Sequence, residues 1–259
     1  MADTGLPLNV PFPESTDLVR DGAAAIQAVA EALNAPAGAF RYAGTRYYTS
    51  SGNFVKADPL GTGDLGIRAI RVRAQGGGGA GGGVPPKSAG LFRAAQGGAG
   101  GGYAESFITD IAGLDATVTV TVGDGGTAVP GGDGNPGGDS SFGSLVIGGG
   151  GSGGDQPSNS FTRFGGSGTG DLVIQGGSSN YGTETGDIGG NAFAGPGGSS
   201  FLSPGAPRTQ RRDSGTIAAG DGKPFGGGGS GRVSGTNNQS GNQPGSPGAA
   251  GIVIVDLFV

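Results

Sequence analysis

The side chains that carry most enzyme chemistry are missing, since the 259 residues include no histidine and no cysteine. Histidine is the commonest general base and the commonest metal ligand, so triads and zinc centres of the familiar types are not expected. Without cysteine, disulfides and thiolate-held metals drop out too. The acids are scattered, and nothing in the sequence sets Glu105, Glu184 or an aspartate at the separation glycoside hydrolysis needs. They read as surface acids in turns. No enzymatic activity and no cofactor is expected.

Glycine-dependent motifs carry little weight in a chain with 64 glycines. At that density G-x-G-x-x-G arises by chance about once per 64 positions, and no βαβ context accompanies it here. The nearest phosphate-loop candidate, Gly82-Gly83-Val84-Pro85-Pro86-Lys87-Ser88, has proline where the loop's second glycine belongs, and no helix pattern follows. Gly131-Gly132-Asp133-Gly134-Asn135-Pro136 opens like a calcium-binding nonapeptide but puts Pro136 in place of the ligand aspartate. Asp124, Asp133 and Asp139 remain only as opportunistic calcium ligands.

Residues suited to binding are easier to find. Phe161, Phe164, Tyr181, Phe193, Phe201 and Phe225 stand in polar or glycine-rich surroundings. Loop-borne aromatics either form a face for sugars or polymers or plug a thin core, and both readings stay open. Arg208, Arg211 and Arg212 lie in a segment without strand pattern and could meet an anionic surface or simply be solvated. Nucleic acid is not an expected partner: the net charge is −5, and no basic block exceeds the pair Arg211 and Arg212. Arg163-Phe164-Gly165-Gly166 is a single diluted relative of the Arg-Gly-Gly repeats that bind RNA.

The elements that must position these residues differ along the chain. Pro7, Pro11 and Pro13 predict an extended arm over residues 1–15. Over 16–34 the spacing of Leu18, Val19, Ile26, Val29 and Leu33 predicts a helix, with Ser15, Thr16 or Asp21 as caps and Gly22 as a break. Its apolar stripe must pack on its own domain, on symmetry mates or on a host assembly. These five residues are the candidate trimer or docking contacts. Residues 40–55 read as a small hairpin around Ser51-Gly52-Asn53, and GIRAIRVRAQ at 66–75 as a longer strand.

Composition shifts at 76–83, where only Ala80 is not glycine. Such a run is either a flexible linker or an element made of backbone alone. The alternating YAESFITD and TVTVTV that follow favour an ordered element, and they read as a second hairpin over 103–122. Pro-Gly-Gly followed by Ser-Ser-Phe occurs at 136–142 and again at 196–201, and Leu-Val-Ile before glycines occurs at 145–149 and 172–177. IVIVDLFV at 252–259 reads as a central strand. Glycines at steps of three, as at Gly131, Gly134 and Gly137, suit three-residue-per-turn extended helices, but the spacing is broken elsewhere. The spacing alone does not require a continuous bundle of such helices. No run approaches the roughly 18 apolar residues of a membrane helix, and the first residues lack a secretory pattern, so neither membrane insertion nor general export is expected.

The expected fold is mainly β: an N-terminal segment over 1–60 with an extended arm, the helix at 16–34 and the small hairpin, then a glycine-rich β domain over 61–259. That domain reads as sandwich-like, with many loops and polyglycine-II segments as an alternative to tight turns.

The succession IRVRAQGGGGAGGG, GGYAESFITD, TVTVTVGDGG, SSFGSLVIGGGG and terminal GIVIVDLFV resembles the glycine-rich domain of many bacteriophage tail-fibre and minor tail proteins. The likeness covers residues 66–259. LPLNVPFPESTDLVRDGAAAIQAVAEAL is similar to short N-terminal segments of actinobacteriophage tail proteins. The resemblance implies a virion tail protein, assembled in the host cytoplasm and commonly a homotrimer. Its N-terminal part would join other phage tail proteins, and its glycine-rich part would face a host cell-surface glycan or protein. A non-adhesive spike, head fibre or decoration protein is the rival reading.

Overall fold

In β8 (Thr117–Thr121) the valines are buried and the threonines exposed, so the strand needs a surface to cover its apolar side. The computed structural model of the protein supplies that surface. It describes residues 2–3, 11–12, 40–88, 92–157, 162–185, 191–211, 220–235 and 240–259, and these hold strands and no helix. Near the N-terminus, β1 (Ala2–Asp3) pairs antiparallel with β2 (Pro11–Phe12). The helix expected over 16–34, with Leu18, Val19, Ile26, Val29 and Leu33, lies outside the described residues.

Two five-stranded antiparallel sheets share one core. The first runs in the order β12 (Leu172–Ile174), β7 (Tyr103–Ile108), β5 (Ala69–Gln75), β17 (Ile252–Phe258), β3 (Tyr42–Tyr48). The second runs β11 (Gly168–Thr169), β10 (Val146–Gly148), β9 (Ser140–Phe142), β8, β4 (Gly52–Val55). Ile70, Val72, Val253, Val255 and Leu257 face Phe54, Val120, Phe142 and Val146 across the gap, and the rings of Phe54 and Phe142 meet edge to face at 5.3 Å. This is a β-sandwich. β17 is paired on both sides and buried along nearly its whole length, as its apolar sequence predicts.

Both expected hairpins are replaced by crossings between the sheets. β3 joins β17 while β4 joins β8; β7 joins β5 while β8 lies in the other sheet. Each of these strands buries one face in the same core, and sending neighbouring strands to opposite sheets satisfies both. Residues 42–55 therefore belong to the sandwich, not to a separate N-terminal unit ending near residue 60. Of the two Ser-Ser-Phe repeats, the first is β9, whereas at the second Phe201 is exposed and leans on Tyr103 at 4.4 Å. Both Leu-Val-Ile repeats contribute strands, β10 and β12.

Beyond the sandwich the strands run on as glycine. The nine amides of 76–84 each donate to another segment, and the partners step by three. Gly76, Gly79 and Gly82 donate to Gly102, Ala99 and Gln96; Gly77, Ala80 and Gly83 to Gly138, Asn135 and Gly132; Gly78, Gly81 and Val84 to Ala249, Ser246 and Gln243. In return the run's carbonyls accept from Gly126, from Gly151 and Gly154, and from Gly229 and Arg232. A three-residue turn points successive peptide groups in three directions and makes no internal hydrogen bonds, so it serves neighbours on all sides. Residues 76–84 form the centre of a bundle of polyglycine-II segments.

Glycine is required there by distance. A Cβ on Gly79 would stand 2.0 Å from the Ser152 carbonyl oxygen, and one on Gly100 2.0 Å from that of Ser199. Outer segments need glycine only where they face inward. In 132–138, Gly134 and Gly137 face the carbonyls of Ala80 and Gly77, while Asp133, Asn135 and Pro136 are exposed. The broken triplet spacing therefore marks the outside of a bundle and not its absence, which decides between the two readings that the sequence leaves open.

Candidate functional site

The sandwich closes one end of the bundle. β5, β8, β10 and β12 lead into it just after Gln75, Thr121, Gly148 and Ile174, and β7, β9, β11 and β17 receive the chain back. The ladders finish at the far end with the pairs Val84–Gln243, Ala95–Arg232, Gln96–Asp155, Gly97–Asn180 and Ala194–Thr209. These pairs mark the end of the bundle opposite the sandwich. Over 76–84 the bundle holds the two ends apart by about 28 Å at the rise of such a helix.

The far end has its own small framework. β6 (Arg93–Ala94) pairs with β16 (Val233–Ser234), and β13 (Thr183–Thr185), β14 (Asn191–Phe193) and β15 (Gln210–Arg211) form a three-stranded sheet. Phe92, Ala94, Ala192, Ala194 and Val233 make a core beneath them. The Glu184 carboxylate accepts the Ala94 amide at 2.9 Å and stands 3.7 Å from Arg93, tying ribbon to sheet.

Two arginines are held firmly. The wholly buried Asp155 accepts from Nε of Arg163 at 2.9 Å and from its Nη2, and this hydrogen bonding raises the Arg163 pKa against the opposing effect of burial. Beside it, the Gln96 side chain accepts the Asp155 amide at 3.3 Å. Arg232 donates to Gln243 Oε1 at 3.1 Å, and burial lowers its pKa. The Arg208 guanidinium lies over the Phe193 ring at 5.2 Å, a spacing suited to cation–π attraction. Next to Arg163, the Phe164 ring is 62% exposed, and Tyr181 is exposed as well.

A model of the glycine-rich domain matches residues 49–258. The chain belongs to the glycine-rich domain family. Comparison with curated proteins gives no match. In this glycine-rich domain the match runs from the β3–β4 turn to the last residue of β17, so every strand of the sandwich but β3, together with the bundle and the described far-end strands, falls within it.

The glycine-rich domain brings three of the candidate binding residues to its far end, Tyr181, Phe193 and Arg208, whereas Phe164 lies part-way along the bundle, where its carbonyl accepts the Ser152 amide. β15 sets Arg211 opposite Ala192 at the same end. Phe161 and Arg212 lie outside the described residues. Phe225 does not join this group. It sits half-buried at the sandwich end beside Gly226, and its carbonyl accepts the Ser200 hydroxyl at 2.5 Å. Phe201 is at that end too, so the aromatics divide between the two ends of the bundle and its side. Arg163 with Asp155, and Glu184 with Arg93, are the contacts that sequence reading missed. Only the isolated Arg-Phe-Gly-Gly around Arg163 hinted at the first.

Proposed function

We propose that this glycine-rich domain protein is a non-enzymatic phage virion component, a tail fibre or minor tail protein, whose far-end loops attach to the host surface. One observation carries the reading: a bundle tied by backbone contact holds the exposed Tyr181 and the Arg208–Phe193 pair at the end away from the sandwich, with the exposed Phe164 along its side. Aromatic rings beside arginine suit the apolar faces and hydroxyls of a glycan, or a mixed protein surface. In this reading the N-terminal segment joins other tail proteins, the chain assembles as a homotrimer, and its place is the virion tail after assembly in the host cytoplasm.

Labelled full-length protein applied to a panel of susceptible strains should stain the cells. A Phe164→Ala/Tyr181→Ala double variant should lose at least about tenfold of that staining, since two exposed ring contacts at roughly 1 kcal/mol each are removed, with an unchanged thermal transition. Absence of staining on every strain would favour the non-adhesive spike. Light scattering at micromolar concentration tests the trimer, and a monomer would remove that part of the reading.

A further inference from the structure

On the outer face of the first sheet, two apolar margins flank a charged centre. One margin is β3, where Tyr42 and Tyr47 are 60% and 64% exposed. The other follows β7 and β12, where Phe107 and Leu172 are 43% and 48% exposed and Phe201, leaning on Tyr103, is 54% exposed. Between the margins Asp256 binds Arg71 at 2.7 Å and Arg73 at 2.8 Å, and Glu105 accepts the Tyr103 hydroxyl at 2.5 Å. Arg71 and Arg73 against Asp256 and Glu105 leave the centre neutral. Strand register sets both margins at one height. Tyr47, Ile254, Arg73, Glu105 and Leu172 are successive cross-strand partners, so Tyr47 and Leu172 end a single row. At one end of the face the rings of Tyr42, Phe258, Phe107 and Phe40 join the margins, standing at 69, 70 and 74° to one another. Rings turned in this way present no flat platform on which a sugar chain could stack, whereas a patch of this extent suits a protein surface.

We infer that this face is where copies of the chain meet, the β3 margin of one copy against the β12 margin of the next, around an axis parallel to the strands. The area is sufficient. At about 200 Å² per aromatic side chain, these exposures leave roughly 600 Å² uncovered, the share of one partner in an interface of about 1,200 Å². The arrangement selects the geometry. Two different margins on one face make a head-to-tail contact, which closes into a ring. An axis along the strands preserves height, so Tyr47 of one copy meets Leu172 of its neighbour. The charged centre then faces the axis and keeps its water. A face-to-face pair, or a lipid surface, would press on Arg71, Arg73, Asp256 and Glu105 and remove that water at a cost. Because the bundle continues the strand direction, the ring sets every far end on the same side, where several weak contacts act together. The inference deepens the homotrimer of the proposed function and rests on it for the number of copies, but not on host attachment.

The chain has no cysteine, so introduced thiols report alone. Full-length protein carrying Tyr47→Cys and Leu172→Cys is treated with a short bismaleimide. Within one copy the two positions are four strand spacings apart, about 19 Å, too far for the reagent. A band at trimer mass on a denaturing gel is expected for the double variant, and none for either single variant. Monomer mass throughout, from protein that light scattering shows to be trimeric, would overturn the inference and leave the homotrimer standing. Dimers from a single variant would show a face-to-face pair and overturn it as well, and a monomer by light scattering would remove both. Independently, Tyr47→Lys with Leu172→Lys sets like charges on the mating margins and should abolish the trimer at micromolar concentration, with an unchanged thermal transition of the monomer. Trimer retained in that variant contradicts the proposal.

Discussion

In the sandwich, Phe54 and Phe142 meet at 5.3 Å and side chains fill the space between two sheets. In the bundle, Gly79 stands so near Ser152 that a Cβ would fall 2.0 Å from its carbonyl oxygen, and no side chain fits. The first region is stabilised by removing apolar surface from water, at about 25 cal/mol per Å². The second buries few and mostly small apolar side chains, among them Ala80, Val84, Ala95 and Ala99, and depends on hydrogen bonds, each contributing about 1 kcal/mol net, and on dense backbone contact. Glycine also loses more freedom on ordering than any other residue. A bundle of this kind needs its segments already aligned, and the sandwich strands leading into 76–84, 149–155 and 176–180 provide the alignment.

The contrast predicts opposite responses to one methyl group. Gly79→Ala forces backbone apart at the bundle centre and is expected to cost more than about 4 kcal/mol, seen as loss of the cooperative thermal transition. Phe54→Ala leaves a cavity in the sandwich and should cost about 3–5 kcal/mol in denaturant titration. Next comes Asp256, buried against Arg71 and Arg73. Burial alone would raise its pKa, but the hydrogen bonds from Thr45 and Arg71 and the charge of Arg73 hold it below the usual carboxylate range. Its stabilisation is complete above its unfolded value near pH 4 and fades as pH falls through the lower folded value. Asp256→Asn should cost about 1–3 kcal/mol at neutral pH, with Arg71 exposure limiting the loss, and the difference from wild type should shrink in acid. The smallest effect is expected at Gly52 in β4, where a Cβ meets only Tyr48 ring atoms at 3.9 Å. Gly52→Ala should change stability by less than about 0.5 kcal/mol, or raise it slightly. If Gly79→Ala and Gly52→Ala behaved alike, the two regions would not differ as described.

What the sequence discloses follows the reach of its signals. β8, β10, β12 and β17 are legible because alternation and apolar runs are local. Their partners are not. Residues 42–55 and 103–121 look like hairpins because nearest neighbours in sequence usually pair, whereas a shared core sends their strands to opposite sheets. The bundle is hidden for a different reason. A triplet of glycine is obligatory only for segments facing the centre, so Asp133, Asn135 and Pro136 interrupt the count while remaining compatible with the structure. Composition identifies the exposed Phe164 and Tyr181, but the pairing of Asp155 with Arg163 depends on which turn of the ladder each occupies. Phe225 follows the other of the two roles open to loop-borne aromatics and sits half-buried at the sandwich end.

The central claim is that the run 76–84 is a packed core and not a linker, and amide hydrogen exchange of the full-length protein tests it most directly. All nine amides of the run donate to backbone carbonyls of other segments. Protection comparable to that of β17 is predicted for each of them. Exchange of this run at the rate of an unstructured peptide, while β17 stays protected, would contradict the account.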